Sequence, residues 1–82
     1  MQQLILYSTL GCHLCDHAKE ILWPILANTK YTLSEVDIAD SEQLLELYGT
    51  SIPVLEYEQS GEKLYWPFDE SQVRLLLNSR IS

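Results

Sequence analysis

The sequence of 82 residues predicts a single α/β domain in which helices flank a mixed four-stranded sheet, in the order β-α-β-α-β-β-α. Three observations support this fold class: an apolar run near the N-terminus, helical periodicity that alternates with strand-like segments, and a hairpin signature in the second half. A domain of this size buries about 60–65% of its unfolded surface, which suffices for one core. We therefore expect residues 1–82 to form one domain.

The first strand and the first helix are read from apolar spacing. Residues 4–7 form an unbroken apolar run, which is typical of a central strand buried on both faces. Residues 13–28 place apolar side chains at helical spacing. Pro24 lacks an amide donor and clashes with the preceding turn, so we expect a kink or an early stop near Trp23.

The next segment predicts a second strand and a short helix. Apolar and polar residues at 31–38 indicate a strand, and residues 40–43 resemble a capping box. The helix that follows is expected to end at Tyr48, before Gly49. Strand-helix-strand connections favour a right-handed crossover, so the first two strands are expected to be parallel.

A hairpin is predicted in the second half of the chain. Residues 54–58 and 63–66 alternate apolar and polar side chains, and Ser60 and Gly61 supply the turn between them. The third and fourth strands are therefore expected to be antiparallel.

The last helix carries a clear start signal. Asp69 is a predicted N-cap with Gln72 three residues later, and Phe68 and Val73 are spaced for a hydrophobic staple. The apolar residues that follow carry the helix toward Arg80.

Composition and charge argue against several classes of function. Twelve acidic and five basic side chains give a net charge of −7, which repels nucleic acids and anionic membrane surfaces. Neither a signal peptide nor a membrane span is expected, because the start of the chain has no basic region and no long apolar run. We therefore predict a cytoplasmic protein. In that reducing compartment, paired cysteines are more often catalytic or metal-binding than structural.

The chain has two cysteines, Cys12 and Cys15, at the predicted start of the first helix. Residues three apart there share a face, with Cα atoms about 5–5.5 Å apart, which suits a disulfide. The amino end of a helix stabilises a thiolate at the cysteine nearest to it, so Cys12 is the predicted nucleophile and Cys15 the resolving thiol. His13 would favour the thiolate when protonated, whereas Asp16 opposes it.

Two other interpretations stay open on the residues alone. Cys12, Cys15, His13 and His17 are potential metal ligands, so Cys12 could hold a metal or an iron–sulfur cluster for delivery. On a helix these four side chains cannot all converge on one ion, and the chain has no other cysteine or histidine, so we assign no metal site. In the third interpretation the pair stays reduced within a non-catalytic interaction module.

Residues 7–15, Tyr-Ser-Thr-Leu-Gly-Cys-His-Leu-Cys, and residues 50–55, Thr-Ser-Ile-Pro-Val-Leu, resemble the glutaredoxin branch of the thioredoxin superfamily, especially short bacterial glutaredoxin-like proteins. The likeness spans nearly the whole chain. It implies a thioredoxin-like fold and thiol–disulfide oxidoreductase activity on a disulfide-containing protein or a small thiol substrate. It also implies a cis bond before Pro53, which would face the cysteine pair. Ile52 would then offer its backbone N–H and C=O to an extended substrate, with Gly11 in the same site.

The sequence departs from this resemblance at several positions. Thioredoxins carry an acid six residues before the nucleophile, where this chain has Leu6, which favours the glutaredoxin side. Glutathione-dependent glutaredoxins resemble one another in a basic residue where this chain has Thr9, and in a Gly-Gly-acid motif where it has residues 66–69. Asp69 is a candidate glutathione contact as well as a helix cap.

No cofactor is predicted from the residues themselves. Glutathione is a reductant only by resemblance, and the net charge of −7 disfavours an anionic ligand. We expect a monomer that acts on disulfide-bearing protein or small thiol partners, with no nucleic acid and no membrane among its partners.

Overall fold

In the computed structural model, which describes residues 3–27 and 29–81, strands and helices follow the predicted order. The elements are β1 Gln3–Ser8, α1 His13–Leu26, β2 Thr32–Asp37, α2 Glu42–Tyr48, β3 Val54–Tyr57, β4 Glu62–Tyr65 and α3 Glu70–Ile81, with a 3-10 turn at Ile38–Asp40. The predicted α/β class and element order are confirmed.

The strands form one mixed sheet in the order β2-β1-β3-β4. β1 pairs in parallel with β2 and antiparallel with β3, and β3 pairs antiparallel with β4. The parallel pair requires the α1 crossover, whereas the β3–β4 pair is joined by a turn over residues 58–61. Gly61 closes this turn with a φ of +77°, a left-handed conformation that glycine adopts without strain. β2 and β4 are therefore the edges of the sheet.

Buried apolar side chains form a cluster on each face of the sheet, because alternate residues of β1 point in opposite directions. On one face α1 and α3 cover β1 and β3, and the buried residues are Leu4, Leu6, Ala18, Leu22, Ile25, Leu26, Leu55, Tyr57, Phe68, Val73, Leu76 and Leu77. On the other face Ile38, Tyr48 and Val54 form a smaller cluster against Tyr7. The prediction that β1 is buried on both faces holds only in part, because Ile5 and Tyr7 are half-buried.

The observed length of α1 differs from the expectation about Pro24. The helix does not stop near Trp23 but continues through Pro24 to Leu26. Proline removes one amide donor, but Leu22 and Ile25 on either side of it are buried in the larger cluster. Packing of this apolar face holds the last turn, since tertiary contacts supply most of a helix's stability in a folded domain.

The boundaries of the second strand differ slightly from the expected ones. The predicted strand at residues 31–38 ends at Asp37, and Ile38 begins the 3-10 turn. The Asp37 carboxylate accepts the backbone N–H of Ala39 at 2.9 Å, which caps that turn. The predicted end of the first helix, Asn28, lies outside the described residues.

The predicted capping box of the last helix is confirmed. The Asp69 carboxylate accepts the N–H of Gln72 at 2.9 Å, and the Gln72 side chain accepts the N–H of Asp69 at 3.0 Å. Phe68 and Val73 are both buried in the larger cluster, as a hydrophobic staple requires. Trp66 packs edge-on against Phe68, with ring centroids 5.1 Å apart.

Replacing Asp69 tests this start signal. We expect Asp69→Ala to lower the free energy of unfolding by about 0.5–2 kcal/mol, because it leaves an N–H of the first helical turn without its acceptor. Denaturant titration followed by circular dichroism measures the change. The matched control is Ser71→Ala, an exposed position one residue into α3, which should stay close to the parent protein. Equal stabilities for the two variants would contradict the capping role.

Candidate active site

The loop between β1 and α1 carries the cysteine pair. Gly11 has a φ of +76°, which lets the chain turn sharply before the helix. Cys12 is the N-cap of α1, and Cys15 lies in its first turn. Their Sγ atoms are joined as a disulfide, and the Cα atoms are 5.2 Å apart, within the separation expected from the sequence.

The two cysteines differ in accessibility. Cys12 is half-buried, whereas Cys15 is 2% exposed. The N–H of Cys15 donates to the Sγ of Cys12 at 3.2 Å, so the outer sulfur sits against a helix-terminal amide. Leu10 is 90% exposed and Leu14 is 46% exposed, so a molecule that approaches Cys12 meets apolar side chains beside it.

A cavity of about 370 Å³ opens next to the disulfide, between α1 and the ends of β1 and β2. Besides both cysteines, its lining includes Ser8, Asp16, Lys19, Glu35 and Asp37. The cavity thus has polar and charged walls, and it reaches the inner cysteine as well as the outer one.

The charged groups in this cavity are linked to one another. Lys19 Nζ lies 3.0 Å from Glu35 Oε2 and 3.9 Å from Asp16 Oδ1. The hydroxyl of Ser8, a buried residue, donates to Glu35 Oε2 at 2.9 Å. The hydrogen bond from Lys19 lowers the pKa of Glu35, and the bond from Ser8 acts in the same direction, against burial and the nearby Asp37. Glu35 is therefore held in its ionised form.

Neither Lys19 nor Glu35 was among the site residues predicted from the sequence. The parallel register aligns Glu35 with Leu6, so an acid from β2 lies next to the apolar position on β1. Lys19 follows Cys15 by four residues on α1, which places it on the same helix face. The four-residue spacing of Cys15 and Lys19 was visible in the sequence, but the strand register that brings Glu35 to Lys19 was not.

The Ile52–Pro53 bond is cis, as the resemblance implies. Since Tyr7 pairs with Val54 across β1 and β3, Ile52 and Pro53 lie at the end of the sheet where the cysteine loop begins. One expectation is wrong: the N–H of Ile52 is not available to a substrate, because it donates to the C=O of Tyr48 at 3.2 Å. The last carbonyls of a helix lack partners within the helix, and this N–H satisfies one of them at the end of α2.

The remaining predicted positions are dispersed. His13 is exposed next to Cys12, and the His17 ring lies 3.8 Å from the Glu20 carboxylate on the outer side of α1. Asp69 is engaged as a helix cap. Within residues 3–27 and 29–81, the His, Cys, Asp and Glu side chains form no group of three or more suited to a metal ion. No helix in those ranges is sufficiently long and apolar to span a bilayer.

Comparison with known proteins agrees with this architecture. Residues 3–78 match the family described as "Glutaredoxin-like domain (DUF836)". The crystal structure of protein XcR50 from X. campestris is 36% identical, covers 93% of this chain and 96% of its own, and superposes with a TM-score of 0.77. Protein Ne2328 from Nitrosomonas europaea is 25% identical, with coverages of 92% and 89% and a TM-score of 0.79. No curated protein matches the chain. The predicted thioredoxin-like fold is confirmed.

The Lys19–Glu35 contact predicts a pH dependence of stability. Because the folded-state pKa of Glu35 is lowered, its ionised form stabilises the fold at pH values above its ordinary pKa. That contribution is lost as the pH falls through the lowered value. We therefore expect Glu35→Gln to be less stable than the parent at pH 7 and to approach it near pH 3, as measured by urea unfolding at both values. A stability difference that is the same at the two pH values would contradict the linkage.

Proposed function

The chain belongs to the glutaredoxin-like domain family, and from this membership we propose that it is a thiol–disulfide oxidoreductase in which Cys12 attacks and Cys15 resolves. The observation that carries the proposal is the pair itself, at disulfide distance on the first turn of a helix, with Cys12 half-buried and Cys15 buried. A disulfide-containing protein or a small thiol compound is the proposed substrate.

The reaction proceeds in two exchanges. The Cys12 thiolate attacks one sulfur of the substrate disulfide, which forms a mixed disulfide and releases the other substrate sulfur as a thiolate. The Cys15 thiolate then attacks Cys12 Sγ. This step forms the Cys12–Cys15 disulfide and releases the second substrate thiolate. Two electrons pass from the protein to the substrate, and a thiol donor must reduce the pair again.

Several features support the assignment of roles. Cys12 lies at the positive end of the α1 dipole and accepts the amide of Cys15 at 3.2 Å, both of which favour its thiolate. Cys15 is shielded from outside disulfides, but its Cα is 5.2 Å from that of Cys12, so it reaches the mixed disulfide directly. Gly11 and the C=O of Ile52 border the route by which an extended substrate would approach.

We further propose that the protein is cytoplasmic and monomeric. A reducing compartment keeps thiols available for turnover, and a dithiol of this kind needs no bound metal or cofactor for exchange. Glutathione as reductant gains little support, since Asp69 already serves as a helix cap and Thr9 provides no basic anchor.

A redox titration tests the activity directly. Metal-free protein is equilibrated in glutathione buffers, alkylated and weighed as an intact chain. We expect a reversible two-electron transition near cytosolic poise, about −200 to −300 mV, in which Cys12 and Cys15 become protected together. The Cys15→Ser variant should accumulate a glutathione adduct, whereas Cys12→Ser should stay reduced.

Three outcomes would overturn this assignment. Thiols that stay reduced in strongly oxidising buffer would favour a non-catalytic module. Adducts on the parent protein without an internal disulfide would remove the dithiol mechanism. Stoichiometric metal in protein purified without added metal would favour the delivery role instead.

Charge predicts a preference among substrates. The chain carries a net charge of −7, and Asp16, Glu35 and Asp37 line the cavity beside the disulfide. A cationic disulfide is therefore concentrated near Cys12 and an anionic one is repelled. We expect the reduced protein to react about tenfold faster with cystamine than with dithiodiglycolate at low ionic strength, and added salt should shrink this ratio.

The matched variant for this prediction is Asp16→Asn with Asp37→Asn, which removes two charges from the cavity lining. It should narrow the cystamine preference while the Cys12–Cys15 disulfide still forms. Equal rates for the two compounds in the parent protein would contradict electrostatic selection.

A further inference from the structure

We infer that Lys19 and Glu35 are positioning residues that set the rate of the resolving step, Lys19 by stabilising the Cys15 thiolate and Glu35 by opposing it. This inference rests on the proposed dithiol function and deepens it. It assigns a role to the charged residues that line the cavity, which take no direct part in the exchange between the two cysteines.

The position of Lys19 relative to Cys15 follows from α1. Residues four apart on a helix have Cβ atoms about 5–6 Å apart on one face, and both residues line the same cavity. Cys15 is 2% exposed, so solvent screens a neighbouring charge less at this sulfur than at an open surface. An opposite charge within about 4–6 Å favours the charged form of a thiol, and Lys19 is the cation that lines the cavity together with Cys15.

Glu35 reaches the same place from β2. Its Oε2 lies 3.0 Å from Lys19 Nζ, and the hydroxyl of Ser8 holds that oxygen at 2.9 Å. The carboxylate fixes where the ammonium stands and offsets part of its field. Asp16 on α1 and Asp37 on β2 add negative charge to the same lining. Among the described residues of this lining, Lys19 is the one cation, so its removal leaves three carboxylates without an opposing charge.

These charges act on the second exchange, in which Cys15 attacks Cys12. The Cys15 thiol loses its proton to water in the cavity, and the resulting thiolate attacks Cys12 Sγ. A new Cys12–Cys15 bond forms, the bond from Cys12 to the substrate sulfur breaks, and that sulfur leaves as a thiolate. Since only the thiolate attacks, the pKa of Cys15 sets the fraction that can react at a given pH.

The two exchanges can be separated with an aromatic disulfide that releases thionitrobenzoate. Reduced protein is mixed with this reagent in a stopped-flow instrument over a range of pH. The first release reports attack by Cys12 and depends on reagent concentration. The second release reports resolution by Cys15, is independent of concentration, and should be missing in Cys15→Ser.

The two variants should shift the second phase in opposite directions. Lys19→Gln should raise its midpoint pH by about one unit, which is about tenfold slower resolution below the midpoint, and Glu35→Gln should lower it. Lys19→Arg, which keeps the charge, should resemble the parent. The matched controls are Lys30→Gln and Glu46→Gln, exposed residues outside the cavity lining, and they should leave the midpoint in place.

The outcomes distinguish this inference from the function beneath it. A parent protein without a second phase would overturn the dithiol function and the inference together. A normal second phase whose midpoint is the same in Lys19→Gln and Glu35→Gln would overturn the inference alone. Shifts of the midpoint in the same direction for both variants would also overturn it. Removal of opposite charges should move the midpoint in opposite directions, whereas a general loss of packing would affect both variants alike. Circular dichroism of each variant verifies that the fold is retained.

Discussion

The inner position of β1 is the constraint on which the rest of the structure depends. β1 is paired on both sides, and Leu4 and Leu6 have no exposed surface. This burial fixes where the strand ends, and Gly11 then turns the chain directly into α1. The same strand sets the register of β3, and with it the place of Pro53. The position of Cys12 therefore depends on apolar burial beneath it, in addition to the hydrogen bond that its Sγ accepts from Cys15.

The two cysteines at the start of α1 have different neighbours. On the outer side, the chain presents Cys12 with apolar neighbours, Leu10 and Leu14, toward solvent. On the inner side, Cys15 borders the cavity, and the charged residues of its lining come from α1 and β2. Cys12 and Leu10 line the same cavity, so the disulfide lies where an apolar surface meets these charged residues. In the proposed mechanism, recognition of a partner and control of proton loss are adjusted at separate residues, although the two sulfurs belong to one bond.

Local features and the order of strands and helices were predicted correctly, whereas the course of α1 past Pro24 and the Lys19–Glu35 contact were not. The capping box of Asp69 and Gln72 is local, and so is the separation of the two cysteines. Continuation of α1 beyond Pro24 depends on packing against strands far away in sequence, which the proline rule does not include. Glu35 lies 16 residues beyond Lys19, and only the parallel register of β1 and β2 brings the two together.

The edges of the sheet also affect how readily the protein self-associates at high concentration. A sheet edge offers its backbone to strands of other chains, and long flat apolar edges promote aggregation. Here one edge strand is four residues long and contains Glu62 and Lys63, and the other contains Glu35 and Asp37. Charge at both rims opposes lateral addition of a further strand. Glu35 and Asp37, which line the cavity, therefore also place charge on one edge strand, where it opposes fibril-like self-association.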